Sequence, residues 1–511
     1  MSLTERDRAV DVLCEPELAA IVDLVAWVEG EAGDRAVSVA NAAGAARLAR
    51  DRGAEVLYGR DPVADQDPMA FLPYLAELAD PSPPNERNTY PYAAERLLSL
   101  FADPRAPDLV IVHTPGHYFP ERGGQIGEHG SLDVIQSRAA LLLCGAGVTA
   151  RGPLDDHARI VDVAPTLCWL AGVAPDAMTG LDGVPLARLV QPGARHAVGL
   201  LWDGVGSGDL LHLAAADELP NVARLLERGC ALRGGAVAEF PSVTLCNHTS
   251  ALTGVGPGRH GIIGNVFWDR EAGKVAVPND ATTWHRSAQW LRPGVVTAFE
   301  AISAARPGSL TASVNEPVDR GAGYSTMALL RQRHAGASGG RNRTGAGTTG
   351  AGAGAAGAGA VGAGPLSALL PDPSTSRYAS AAWVAKHPGF AWGTQVDDAG
   401  LEQVLQLWQD VAEAPLFTWW NSTLTDSALH AGGPRSPIAR AGLRDTDRRL
   451  GVFLGRLDRL GIYDEVVFLL TADHGFEGTD ESCRGDWDPA LRAAGLIFRD
   501  EGPGFVYLGE T

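Results

Sequence analysis

Unbroken apolar runs recur along this chain, and several end abruptly on an acidic residue. Val466 to Leu470 reads as a buried strand, and Thr471-Ala472-Asp473-His474-Gly475 follows it directly. Ala197 to Trp202 is a second such run, closed by Asp203-Gly204. Leu416 to Trp420 is a third, with Asp426 and His430 shortly beyond it. Leu109 to Val112 and Ala140 to Cys144 add two more, the latter bounded by Gly145. Between these runs, Asp162 to Ala171 and Thr446 to Leu460 carry apolar residues near helical spacing. Strands alternating with helices predict an α/β fold, a mostly parallel sheet with helices on both faces. Ligands of such sheets bind beyond the carboxyl ends of the strands. Asp203, Asp473 and the segment after Trp420 all fall at such ends.

Two stretches break the pattern. Leu189 to Arg195, with Pro192 and Gly193, reads as a linker. Gly336 to Pro365 is nearly all Gly and Ala, lacks periodicity and cannot bury a core, so a disordered loop is expected there. It interrupts residues 316–383, which have few strand signals and read as an insertion or cap.

Composition narrows the possible partners. With 511 residues, 45% of them hydrophobic, the chain can build one large domain with an insertion, or two or three ordinary domains. A net charge of −19 would repel a nucleic-acid polymer, but a small phosphate ester can still bind where cations invert the local field. Met1 to Val10 has no signal-peptide pattern, and Leu18 to Val28, interrupted by Asp23, is too short to span a bilayer. The six cysteines are scattered with no CxxC pair. Reduced thiols in a cytoplasmic protein that does not engage a membrane are therefore expected.

The candidate chemistry lies in four places. Carboxylates and imidazoles together suit a divalent metal, zinc above all. Thr244, in Pro241-Ser242-Val243-Thr244-Leu245-Cys246-Asn247-His248, precedes a helical segment, and a helix N-terminus attracts phosphate. Taken singly, each feature has an ordinary explanation. Thr244 could cap a helix. Asp203-Gly204 could be turn chemistry. Asp426 and His430 could be a solvated helix pair. The weight comes from finding all of them in one chain.

Together these motifs resemble the type I phosphodiesterase/nucleotide pyrophosphatase family of the alkaline phosphatase superfamily. The resemblance rests on Asp203-Gly204, Phe240-Pro241-Ser242-x-Thr244-x-x-Asn247-His248, Leu252-Thr253-Gly254, Pro257, His260-Gly261-Ile262 and Asn265. Asp426-x-x-x-His430 and Thr471-Ala472-Asp473-His474-Gly475 follow in order. It implies an alkaline-phosphatase-like fold and two divalent ions, zinc or another such as manganese. By the same resemblance Thr244 matches the nucleophile and Asn265 a ligand of a phosphate oxygen. Asp203, Thr244, Asp473 and His474 match the first metal's ligands, and Asp426 and His430 two ligands of the second. Leu245-Cys246 departs from the family's usual Phe-Pro. His248 and His260 match positions that support the nucleophile loop. His113 and His117, on either side of Pro115-Gly116, read as supporting or structural residues.

The resemblance implies one more histidine for the second metal, downstream of the Asp-His-Gly motif, and none follows His474. The missing motif resembles Gly127-Glu128-His129-Gly130-Ser131, followed by Val161 to Leu167 and Gly180 to Leu186. The order implies a circular permutation. Residues 1–190 resemble the end of the catalytic domain, and 196–315 and 384–511 its beginning and middle. The implied activity is cleavage of phosphodiester or nucleotide pyrophosphate bonds through a phosphothreonine. Phosphomonoesterase or phosphotransferase action on the same site, or metal binding without catalysis, are the alternatives. A sulfatase is disfavoured because the nucleophile segment lacks the Cys/Ser-x-Pro-x-Arg pattern.

Overall fold

The computed structural model describes residues 4–30, 35–49, 53–70, 76, 88–120, 123–174, 177–178, 180–338, 370–502 and 504–510. An eight-stranded sheet forms the centre of the fold. Its strands run in the order Tyr324–Ser325, Thr311–Val314, Phe417–Ser422, His196–Trp202, Val466–Thr471, Leu141–Gly145, Gly229–Leu232, Gly152–Leu154. Only Leu141–Gly145 opposes the common direction. Every residue of His196–Trp202, Phe417–Ser422 and Val466–Thr471 is buried, as expected of parallel strands covered on both faces. One group of helices, Val163–Leu170, Thr244–Thr253 and Ala298–Ala305, packs together, and a second group gathers Pro388–Leu407, Leu424–Gly432 and Pro437–Leu460.

Register decides where the strand ends fall. Leu201 sits opposite Asn421 on one side and Thr471 on the other. Asp203, the helix after Ser422 and Asp473 therefore emerge at one level of one sheet edge. Gly199 is needed within this arrangement. A Cβ there would lie 2.2 Å from the Trp419 ring, so the absent side chain makes room for an indole whose Nε1 donates to Glu316.

The helix expected from Thr446 begins earlier, at Pro437. Ser436 caps it by accepting a hydrogen bond from Ala439 N at 3.1 Å, and Pro437 suits a first helical turn.

Leu109–His113 does not join the parallel strands. It belongs to a second, seven-stranded antiparallel sheet in the order Phe498–Glu501, Phe505–Leu508, Leu109–His113, Val22–Glu29, Ala36–Asn41, Gly44–Ala49, Gly53–Gly59. Both ends of the described chain thus meet in one sheet. Within the expected insertion, Tyr324–Ser325 is the edge strand of the main sheet. Residues 336–338 end the helix Thr326–Ser338 rather than opening a loop. The rest of the Gly/Ala stretch, 339–365, lies outside the described residues. Among the described residues, no helix is long and apolar enough to cross a membrane.

Candidate metal centre

Beyond the carboxyl ends of the parallel strands, six side chains gather into two groups. In the first, His474 Nε2 lies 3.1 Å from Asp473 Oδ2 and 3.6 Å from Asp203 Oδ1. In the second, Asp426 Oδ1 lies 3.4 Å from His430 Nε2 and 3.8 Å from His129 Nε2. One atom from each member of a group lies within 4.8 Å of the others. The groups adjoin, because the His129 and His474 rings stack with centroids 3.7 Å apart.

Local structure accounts for each placement. Asp203 and Asp473 leave adjacent parallel strands. Asp426 and His430 are one turn apart on Leu424–Gly432 and so share a helix face. His129 arrives from the other end of the chain on Gly127–Glu128, which pairs antiparallel with Glu477–Gly478 just past His474.

The hydrogen bonds prepare the imidazoles for a cation. His129 Nδ1 donates to Ser242 O at 3.0 Å, His430 Nδ1 to Gly127 O at 2.9 Å, and His474 Nδ1 to Gly475 O at 3.0 Å. Each ring then turns its Nε2 inward, the atom that would face a metal. Asp203 Oδ1, Asp426 Oδ1, Asp473 Oδ2 and His474 Nε2 are buried without a hydrogen-bond partner. Leaving such groups uncompensated costs on the order of several kcal/mol per ion. Orphaned oxygens and nitrogens in one pocket, of mixed Asp and His type, fit divalent cations.

The buried charges also act on one another. Burial, reinforced by Asp473 and Asp426, pushes the Asp203 carboxyl well above its ordinary range. Burial likewise raises Asp426 and, with His474 and His430 nearby, lowers His129. Burial opposes the charged forms of Asp473 and His474, but their mutual attraction outweighs it, so Asp473 is held low and His474 high.

Thr244 is the first residue of Thr244–Thr253 and is 6% exposed. The loop before it is fastened to the His129 loop. Ser242 Oγ donates to Ser131 O at 2.7 Å and accepts from Gly130 N at 3.1 Å. Asn265 Oδ1 accepts from Leu245 N at 3.0 Å, which brings its amide beside the same helix start. His248, one turn after Thr244, faces the first group, with Nε2 3.5 Å from Asp473 Oδ2 and 3.8 Å from Asp203 Oδ2.

That placement corrects the reading of His248 as a support for the nucleophile loop, because its ring is turned toward the carboxylates instead. Asn247 is what clamps the loop, accepting from Glu239 N at 2.7 Å and donating to Pro241 O and Val243 O at 3.1 Å each. His260 is tied to Ser250 Oγ at 3.0 Å and Ile262 N at 3.1 Å, and burial lowers its pKa to about 3. His113 and His117 pack with Phe119 beside the second sheet. Glu316 was not singled out in the sequence. Its one visible signal is its position just past the strand Thr311–Val314 of the same sheet.

The sequence model of the type I phosphodiesterase/nucleotide pyrophosphatase family matches residues 197–509. The chain belongs to this family. The matched span holds Asp203, Thr244, Asn265, Asp426, His430, Asp473 and His474, and excludes His129. A curated relative, alkaline phosphatase PafA of Elizabethkingia meningoseptica, is 27% identical over 182 residues, which is 35% of this chain and 31% of the relative. The chain therefore spans about a third of that relative's length. Among solved structures, phosphonoacetate hydrolase from Sinorhizobium meliloti 1021 with phosphonoformate is 24% identical, with 56% of this chain and 57% of that chain covered and a TM-score of 0.32. Murine ectonucleotide pyrophosphatase/phosphodiesterase 5 is 15% identical, with 60% and 64% covered and a TM-score of 0.38.

Proposed function

We propose that this member of the phosphodiesterase/nucleotide pyrophosphatase family is a two-metal phosphohydrolase that attacks phosphodiester or nucleotide pyrophosphate bonds with Thr244. The observation that carries the reading is the pair of Asp/His groups beside one helix start, with one oxygen of each aspartate and His474 Nε2 left unsatisfied. Asp203, Asp473 and His474, with the Thr244 hydroxyl, would hold one divalent ion, and Asp426, His430 and His129 the other. Zinc suits the ligand set best, and manganese is the alternative. Such ions supply Lewis-acid charge stabilisation and lower the pKa of a hydroxyl.

The chain's own groups do the rest. Thr244 Oγ1 forms a bond to phosphorus as the bond to the leaving oxygen breaks, and the hydroxyl proton passes through solvent to that oxygen. Backbone N–H groups at the start of Thr244–Thr253 and the Asn265 amide donate to phosphate oxygens as negative charge builds on them. Water then breaks the Thr244–phosphate bond and restores the hydroxyl.

Phosphomonoester hydrolysis on the same residues is the second reading, favoured by the similarity to an alkaline phosphatase. Parallel turnover of a chromogenic phosphodiester and phosphomonoester, with and without chelator, separates the two. No turnover of either by protein loaded with two ions would leave metal binding without catalysis.

The segment order also leads us to infer circular permutation. What supports it is a family match that begins at residue 197, while residues 127–145 supply His129 and a strand of the same sheet. The described ends meeting in the second sheet fit it too, since nearby termini make permutation tolerable.

A further inference from the structure

Behind the first Asp/His group stands a buried pair that neither group includes. Glu316 is 0% exposed and saturated with donors. Its Oε2 accepts from His248 Nδ1 and from Trp419 Nε1, each at 2.9 Å, and its Oε1 accepts from Val318 N at 2.8 Å. His248 is 1% exposed, and its other nitrogen faces Asp473 Oδ2 and Asp203 Oδ2. Asp473 Oδ1 is fixed separately by Gly204 N at 3.0 Å. Trp419 reaches Glu316 because Gly199 leaves room for its ring.

We propose that Glu316 and His248 are a positioning pair that aims the Asp203 and Asp473 carboxylates at one cation and sets how firmly that ion is held. This rests on the reading that the two groups bind divalent ions. The physical argument is one of orientation. A carboxylate can rotate and can bind a metal through either oxygen, so its geometry must be set from behind. Gly204 N and His248 Nε2 approach opposite oxygens of Asp473 and leave little freedom to turn. Glu316 fixes the imidazole in turn: it occupies Nδ1, so the ring cannot flip to present another edge. Among the described residues, no buried Glu–His pair stands behind Asp426, and the histidines of both groups are oriented by backbone carbonyls. The pair should therefore act on one ion and not the other. Removing a partner of this kind lowers metal affinity by about 10–100-fold in comparable sites.

The test measures zinc affinity by chelator competition, and the visible spectrum of the cobalt-substituted protein, on the full chain. Glu316→Gln keeps the shape but cannot accept all three donors. It should weaken one of the two ions by about 10–100-fold and leave the other unchanged. His248→Gln, which keeps a donor near the Nε2 position, should hold that ion better than His248→Ala. Trp419→Phe removes a donor to Glu316 without touching His248 and should weaken that ion less than Glu316→Gln does. If Glu316→Gln fails to fold, the two His248 variants decide alone. Equal weakening of both ions, an equal loss in Trp419→Phe, or no difference among the His248 variants would overturn the proposal. Wild-type protein that binds no divalent ion overturns the underlying reading and this one with it. Two ions in wild type with unchanged variants overturns only this one.

Discussion

His129 Nε2 and His430 Nε2 lie 3.2 Å apart although 301 positions separate the residues in the chain. Each ring has its Nδ1 committed to a carbonyl, so the two Nε2 atoms face each other beside Asp426, where they can share one proton or one cation. This arrangement leads to the first prediction. His129→Ala and His430→Ala should lose the same ion and lose turnover to a similar extent, and the double variant should be little worse than either, because residues acting as a unit are not additive. Bound metal and kcat for the three proteins check this. Full occupancy and normal turnover in His129→Ala would detach residues 1–190 from the site.

Thr244→Ala should abolish turnover and leave the fold intact, since it removes one hydroxyl from the start of a helix whose core contacts lie elsewhere. Circular dichroism with steady-state kinetics tests it. Retained activity in a normally folded variant would move the nucleophile to another residue.

Glu477 yields a prediction about pH. Burial, with Asp133 and Asp23 nearby, raises its pKa from an ordinary 4.5 to about 8, although Gly116 N and the Gln136 amide hold it down in part. The folded chain then keeps a proton that the unfolded chain has lost. Stability should fall as pH rises from about 4.5 to about 8 and level off above, at about 1.4 kcal/mol per pKa unit. Glu477→Gln should flatten that fall. Its Tm should match wild type near pH 4.5 and exceed it near pH 8. Parallel melting curves across that range would refute this.

Gly199→Ala should destabilise the protein by about 1–3 kcal/mol, the usual cost of overpacking a filled core. The new methyl must displace Trp419, whose ring it would approach to 2.2 Å. Urea titration gives the loss, and tryptophan fluorescence should report the shifted indole. An unchanged midpoint would mean that the ring has room to move.

The parallel strands were legible in the sequence because both their faces are covered, so Ala197 to Trp202 and Val466 to Leu470 appear as solid apolar runs. The second sheet was not. Ala36–Asn41 and Gly44–Ala49 are short, mix five alanines with Val37, Val39 and Leu48, and carry Ser38 and Arg47 between them, so no run stands out. Asp203, Asp426, His430, Asp473 and His474 stood out because strand ends and helical spacing mark them locally. Glu316 did not, because what gives it meaning is His248, 68 positions away and reached only through space.

The strand Leu141–Gly145 has a consequence for how the protein is made. Both its neighbours in the sheet, Gly229–Leu232 and Val466–Thr471, are translated after it. A ribosome adding about 5–20 residues per second leaves the 301 positions between His129 and His430 incomplete for roughly 15–60 s. Throughout that interval an apolar strand and an imidazole ready for metal wait without their partners. Until the last parallel strand arrives that apolar surface stays uncovered, and the candidate metal centre can only form late in the life of the molecule.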